Sequence, residues 1–141
     1  MNKAEAVSNV CLVCINVDCE CTRAVSYIEN AFRTDGIDIL FVSTVNIFGH
    51  SDKIYIAIAE SDVFSLMNIL GKIRNDTHIK NYSVNCSNSM IKWRGKVSPD
   101  IFEKAGCDIK LILSLSDEGI CFCDNAYRER VCTLLTCRTP G

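Results

Sequence analysis

No stretch of this chain is apolar for the roughly 18 residues that a bilayer span requires. Its opening, MNKAEAVSNV, lacks the apolar centre of a secretion signal. Neither sign of charge dominates: 15 Lys and Arg stand against 17 Asp and Glu, for a net charge of -2. That balance excludes the basic footprint by which nucleic acid is held, and Lys92, Arg94 and Lys96 around one turn read as a solvated rim. There is no phosphate-cradling GxxxxGK motif, no glycine-rich phosphate loop and no acidic cluster at metal-ligand spacing. The only histidines, His50 and His78, both lie beside turn signals, so a catalytic triad or metallohydrolase centre is unsupported. The expectation is a cytoplasmic polypeptide, non-catalytic on its own, with no cofactor and no dealings with membrane or nucleic acid.

Cysteine, by contrast, is abundant, with ten residues. Cys11, Cys14, Cys19 and Cys21 offer a CxxC followed by a CxC, but VCLVCINV reads as a strand, and side chains three apart on a strand point to opposite faces. Cys121 and Cys123 share a face, yet no histidine or second pair sits at zinc-finger spacing. Free cysteine is among the most buried residue types, and cytosolic disulfides are rare. Buried structural thiols are expected, and no metal site.

Two stretches repeat one pattern. FRTDGIDILFVS (Phe32 to Ser43) and FEKAGCDIKLIL (Phe102 to Leu113) each carry Phe, then Gly four residues later, then one residue, Asp and Ile. Both read as a helix end, a glycine stop and an apolar strand. Around the first lie a strand at Val10–Ile15 and a helix with Ala24, Val25, Ile28, Ala31 and Phe32 at helical spacing. Strand-like Ile37–Asn46 and Lys53–Ala59 follow, then a helix capped by Ser61 or Asp62 with Val63, Leu66, Leu70 and Ile73 inward, and a strand in HIKNYSVNC. Around the second lie a strand at Ser89–Trp93 and a helix started by Ser98 and Pro99 and stopped by Gly106. A hairpin around SDEG and a helix capped by Asp124 or Asn125 complete it. The order βαββαβ, then βαββα, predicts an α+β fold of two tandem ferredoxin-like units, 1–88 and 89–141, the second lacking its own last strand. An open sheet edge is a liability. Either the amino-terminal residues fold back to complete it or a longer parent chain supplies the strand, and a fragment or remnant is inferred.

On these residues the chain resembles tandem ACT domains, and most specifically the C-terminal regulatory region of aspartate kinases, from about Ser8 to Cys137. VCLVCINVDCECTRAVSYIENAFRTDGIDILFVS matches the family's first unit; VSTV and AYRERVCTLL echo pieces of its second. The resemblance implies that an upstream strand, partly kept in MNKAEAV, completes the second unit. It also implies a homodimer, an upstream kinase domain in the parent chain, and lysine or threonine as a small amino-acid effector. The family's Pro-Gly turn before the first helix is absent, with Glu20, Cys21, Thr22 and Arg23 in its place, and its Gln-Asn pair falls on Thr44 and Val45.

The candidate effector contacts follow from a helix amino terminus, which favours a carboxylate. They are the backbone groups near Asn16 to Glu20, including Cys19, with Asp18 or Glu20 as ammonium acceptors, Thr44 as a hydroxyl on the adjacent strand, and Ser98 and Asp100 at the second unit's equivalent corner. Asp18, Ser98 and Asp100 equally suit helix caps. Two further readings stay open: a degenerate ACT pair that dimerises without ligand, and a thiol or metal protein built on the cysteines.

Overall fold

A computed structural model describes residues 2–17, 21–45, 52–76 and 79–136. Among them the chain is α+β, with six strands and four α-helices. These are β1 (Lys3–Val17), α1 (Cys21–Thr34), β2 (Ile39–Val45), β3 (Asp52–Ala59), α2 (Val63–Asp76), β4 (Ile79–Arg94), α3 (Ile101–Lys104), β5 (Ile109–Ser114), β6 (Glu118–Asp124) and α4 (Arg128–Thr136). Two compact units result: Cys11–Cys86, and Met1–Val10 together with Ser87–Gly141. Where two contiguous segments are expected, residues up to Val10 thus group with the carboxy-terminal half. None of the described helices is long and apolar enough to cross a membrane.

In Cys11–Cys86 the strand order is β2-β3-β1-β4. Alternation places Cys11, Val13, Ile15 and Val17 of β1 in the core, where Ala24, Ile28 and Phe32 of α1 and Leu66, Ile69, Leu70 and Ile73 of α2 meet them. The α1 residues recur every fourth position, so one stripe of the helix is buried. Each such large side chain contributes about 1.5–3 kcal/mol by leaving water. Two bonds close α1: the Gly36 N–H donates to the Arg33 carbonyl at 3.1 Å and the Ile37 N–H to the Phe32 carbonyl at 2.9 Å. That pattern needs a left-handed residue, which Gly36 supplies at φ 76°.

In the other unit the order is β5-β6-β4-β1. Its outer strand beside β4 is the amino-terminal half of β1, where Ala4 and Ala6 pack on the core of Ile91, Trp93, Ile101, Val131 and Leu135. The repeat extends into irregularities. Both copies shift register just after the strand begins, between Ile39 and Phe41 and between Ile109 and Leu111. Both enter their second helix through a short 3-10 turn, Glu60–Asp62 and Asn125–Tyr127. Gly106, at φ 65°, repeats the stop of Gly36.

Several expectations are corrected. The strands expected in HIKNYSVNC and at Ser89–Trp93 are one strand, β4, because no glycine or proline interrupts them. Instead Ser87 takes φ 60° within β4, and Asn9 φ 58° within β1. The second copy's first helix is a single turn, Ile101–Lys104. Ser61 and Asp62, expected to cap the second helix, lie inside the 3-10 turn Glu60–Asp62, and Asp124, before the turn Asn125–Tyr127, makes no side-chain cap bond. Asp124 pairs with Lys110 instead.

Candidate functional site

The expected effector residues are placed as follows. Asn16, near the end of β1, donates from Nδ2 to Oδ1 of Asn81 on β4. Asp18, Cys19 and Glu20 lie outside the described residues. Thr44 is exposed on β2 opposite Ile54. It is not on a strand adjacent to β1: the antiparallel β2–β3 hairpin sets β3 between them. At the second corner, the Ser98 hydroxyl donates to the Asp100 carboxylate, which also pairs with Lys104 at 3.3 Å. The hydroxyl, then the ammonium, hold Asp100 below the usual carboxylate range. Asp100 precedes α3 but makes no side-chain cap bond, and a four-residue helix gathers little dipole. His50 and His78 also fall outside the described residues.

A larger polar constellation, legible from no spacing, surrounds the end of β6. Arg128 Nη1 donates to Ser8 Oγ at 2.9 Å, and Ser8 Oγ lies 3.2 Å from Ser89 Oγ. Ser89 Oγ donates to Asn125 Oδ1 at 2.9 Å. With Arg128 as the fixed donor, Ser8 uses its proton on Ser89, which uses its own on Asn125. Asn125 also clamps Asn9: its Oδ1 accepts the Asn9 N–H at 3.2 Å, and its Nδ2 donates to Asn9 Oδ1 at 2.9 Å. This steadies a non-glycine left-handed residue, for which asparagine is among the least strained choices. Beside it Lys110 Nζ reaches Asn88 Oδ1 at 2.5 Å and Asp124 Oδ1 at 2.6 Å.

The same unit carries an open groove of about 830 Å³, bordered by Lys3, Lys92, Arg94, Glu5, Glu118 and Leu115. Cations and carboxylates on one apolar-floored wall suit a ligand bearing both charges. Lys92 and Arg94 are exposed on β4 and border this groove. Beneath, the Trp93 ring crosses Gly119 and meets Phe102 with ring centroids 5.7 Å apart.

In Cys11–Cys86 the donor atoms of Cys11, Glu60 and Cys86 all lie within 4.8 Å of one another. Cys11 is buried on β1, Cys86 is half-buried on β4, and Glu60 opens the 3-10 turn after β3. Since β1 runs between β3 and β4, the three donors span three neighbouring strand positions. Burial first, then the Cys86 thiol and the Glu60 charge, push the Cys11 thiol up to about 12. Cys14 faces away, where burial and the Cys14 thiol raise the Tyr55 phenol. The CxxC therefore does not converge, yet Cys11 finds a partner 75 residues on, beyond any spacing rule.

No family profile and no curated protein matches the sequence. Solved structures do. The chain resembles the regulatory subunit of aspartate kinase from Thermus thermophilus in its ligand-free form, with a TM-score of 0.73, 9% identity, and 94% and 93% of the two chains covered. It resembles aspartate kinase from Synechocystis with a TM-score of 0.79 and 14% identity, over 98% of this chain and 28% of that one. It also resembles E. coli aspartokinase III in complex with lysine and aspartate, with a TM-score of 0.67 and 11% identity, over 94% and 31%. The fold is that of the regulatory subunits and C-terminal regulatory domains of aspartate kinases.

Proposed function

We propose that this chain is an allosteric regulatory module of the aspartate-kinase type, built as two tandem ferredoxin-like ACT units, that senses an end-product amino acid. The observation that carries this reading is the strand order, β2-β3-β1-β4 in one unit and β5-β6-β4-β1 in the other, within a fold shared over 94% of the chain with a kinase regulatory subunit. The effector is lysine or threonine; one related kinase has been crystallised with lysine and aspartate. Asn16, Asp18, Cys19 and Glu20 remain the proposed contacts at the first unit's corner, and Ser98 and Asp100 those at the second unit's own corner. The module acts as a homodimer on an aspartate kinase catalytic domain, in the same polypeptide or in a companion subunit. Differential affinity of the effector for two arrangements of the module is what shifts kinase activity.

A second reading, a dimerisation module without ligand, is favoured by one specific feature: the family's Pro-Gly turn, which lets backbone N–H groups approach a carboxylate, is absent. Thermal-shift titration with lysine, threonine, methionine and aspartate in separate wells decides between them. A ligand bound only by the folded state raises the midpoint by mass action. A saturable rise with lysine or threonine alone establishes the sensor. No rise at millimolar concentrations, with dimerisation intact, leaves the assembly module.

A further inference from the structure

The Cys11, Glu60 and Cys86 cluster serves no part of the regulatory reading. Packing accounts for buried thiols, which behave as small hydrophobes. It does not account for a carboxylate brought to both of them at the edge of an apolar core. Around one zinc ion, thiolate sulfurs at about 2.3 Å sit roughly 3.8 Å apart, and a carboxylate oxygen at about 2.0–2.2 Å sits slightly closer. Donors already within 4.8 Å of one another need close by only about 1 Å, within reach of small side-chain rotations.

We propose that Cys11, Cys86 and Glu60 bind a thiophilic divalent cation of the zinc class, as two thiolates and one carboxylate, with a fourth position left to water or an added ligand. Soft sulfur donors select such ions over calcium or magnesium. The electrostatics favour the same outcome. Once ionised, two thiolates and a carboxylate this close would repel one another, and a dication at their centre turns each repulsion into attraction. On binding, each thiol releases one proton to solvent while the carboxylate, already ionised, releases none. Two protons leave per ion, and the site carries a net charge of -1. Because β1, β4 and the turn after β3 are tied together only in the folded unit, the ion also stabilises that unit.

The test uses the full chain, stripped with a chelator and held reduced by a phosphine. It is titrated with Co²⁺, whose thiolate charge-transfer absorption reports sulfur ligation directly. The expected result is one equivalent bound per chain, with that absorption lost when Zn²⁺ displaces the cobalt. Cys86→Ala abolishes the absorption, whereas Cys14→Ala and Cys121→Ala, outside the cluster, retain it. Glu60→Gln keeps the thiolate absorption but weakens binding by at least about tenfold, the lower range for disturbing even a ligand's outer partner. Should Cys86→Ala fail to fold, Glu60→Gln decides alone, since it alters a half-buried residue at a turn. No stoichiometric absorption in the parent chain, or undiminished affinity in Glu60→Gln, overturns the proposal.

Discussion

Two glycine-to-alanine substitutions are expected to act with opposite signs. Gly119 pairs with Trp93 across β6 and β4. A Cβ placed there would lie 2.1 Å from Trp93 Cζ2, 2.4 Å from Cη2 and 2.7 Å from the Leu113 carbonyl oxygen. Carbon atoms rest about 3.5–4.0 Å apart, so the ring must withdraw by more than about 1 Å, and the carbonyl, being backbone, yields less readily. Overpacking of this kind costs about 1–3 kcal/mol. Against it stands about 0.4–1 kcal/mol from the lower entropy of the unfolded chain. Gly119→Ala is therefore expected to destabilise by about 1–2 kcal/mol, read by urea denaturation. Gly71, inside α2, meets nothing within 4 Å. Gly71→Ala is expected to stabilise by about 0.5–1 kcal/mol, the helix-interior difference between the two residues. A double-mutant cycle isolates the cause: Cζ2 and Cη2 belong to the six-membered part of the indole, which Trp93→Phe removes. In that background Gly119→Ala should cost about 1 kcal/mol less. A Gly119→Ala chain as stable as its parent, or a cost unchanged by Trp93→Phe, refutes the reasoning.

Other outcomes follow from the same structure. Gly36→Ala forces a Cβ into the left-handed region at φ 76° and should cost about 1–2 kcal/mol in thermal or urea unfolding. Lys110→Met keeps the aliphatic stem but removes the donor to fully buried Asn88; a loss of about 1–3 kcal/mol is expected, mostly from that bond, because Asp124 is half exposed. Burial pushes the Cys11 and Cys121 thiols to about 12 and Cys123 to about 11, from an ordinary 9.0. The folded state thus holds more protons than the unfolded state above pH 9, and the stability present below that pH should be lost as pH rises toward 11–12. Metal-free protein unfolded in urea at pH 7, 9 and 10.5 would reveal this decline, and Cys121→Ala should lessen it.

Local order was legible because local physics writes it into short windows. The four-residue spacing of Ala24, Ile28 and Phe32 specifies a buried helical stripe, and a glycine at 36 and again at 106 specifies where helices stop. The repetition of Phe, Gly, Asp and Ile marks the same helix-to-strand corner at Gly36 and at Gly106. Tertiary structure alone decided the rest, since each remaining feature depends on residues far apart in the chain. The first half of β1 joins the unit of Ser87–Gly141, a choice made by sheet edges that no window contains. The hairpin at β2–β3 removes Thr44 from the strand beside Asn16. Asp124 stands at the cap position but makes no cap bond, and its carboxylate meets Lys110, brought across from β5. Cys11, Glu60 and Cys86 share no spacing that a motif could encode, because cross-strand neighbours are set by pairing, and pairing is a property of the folded sheet.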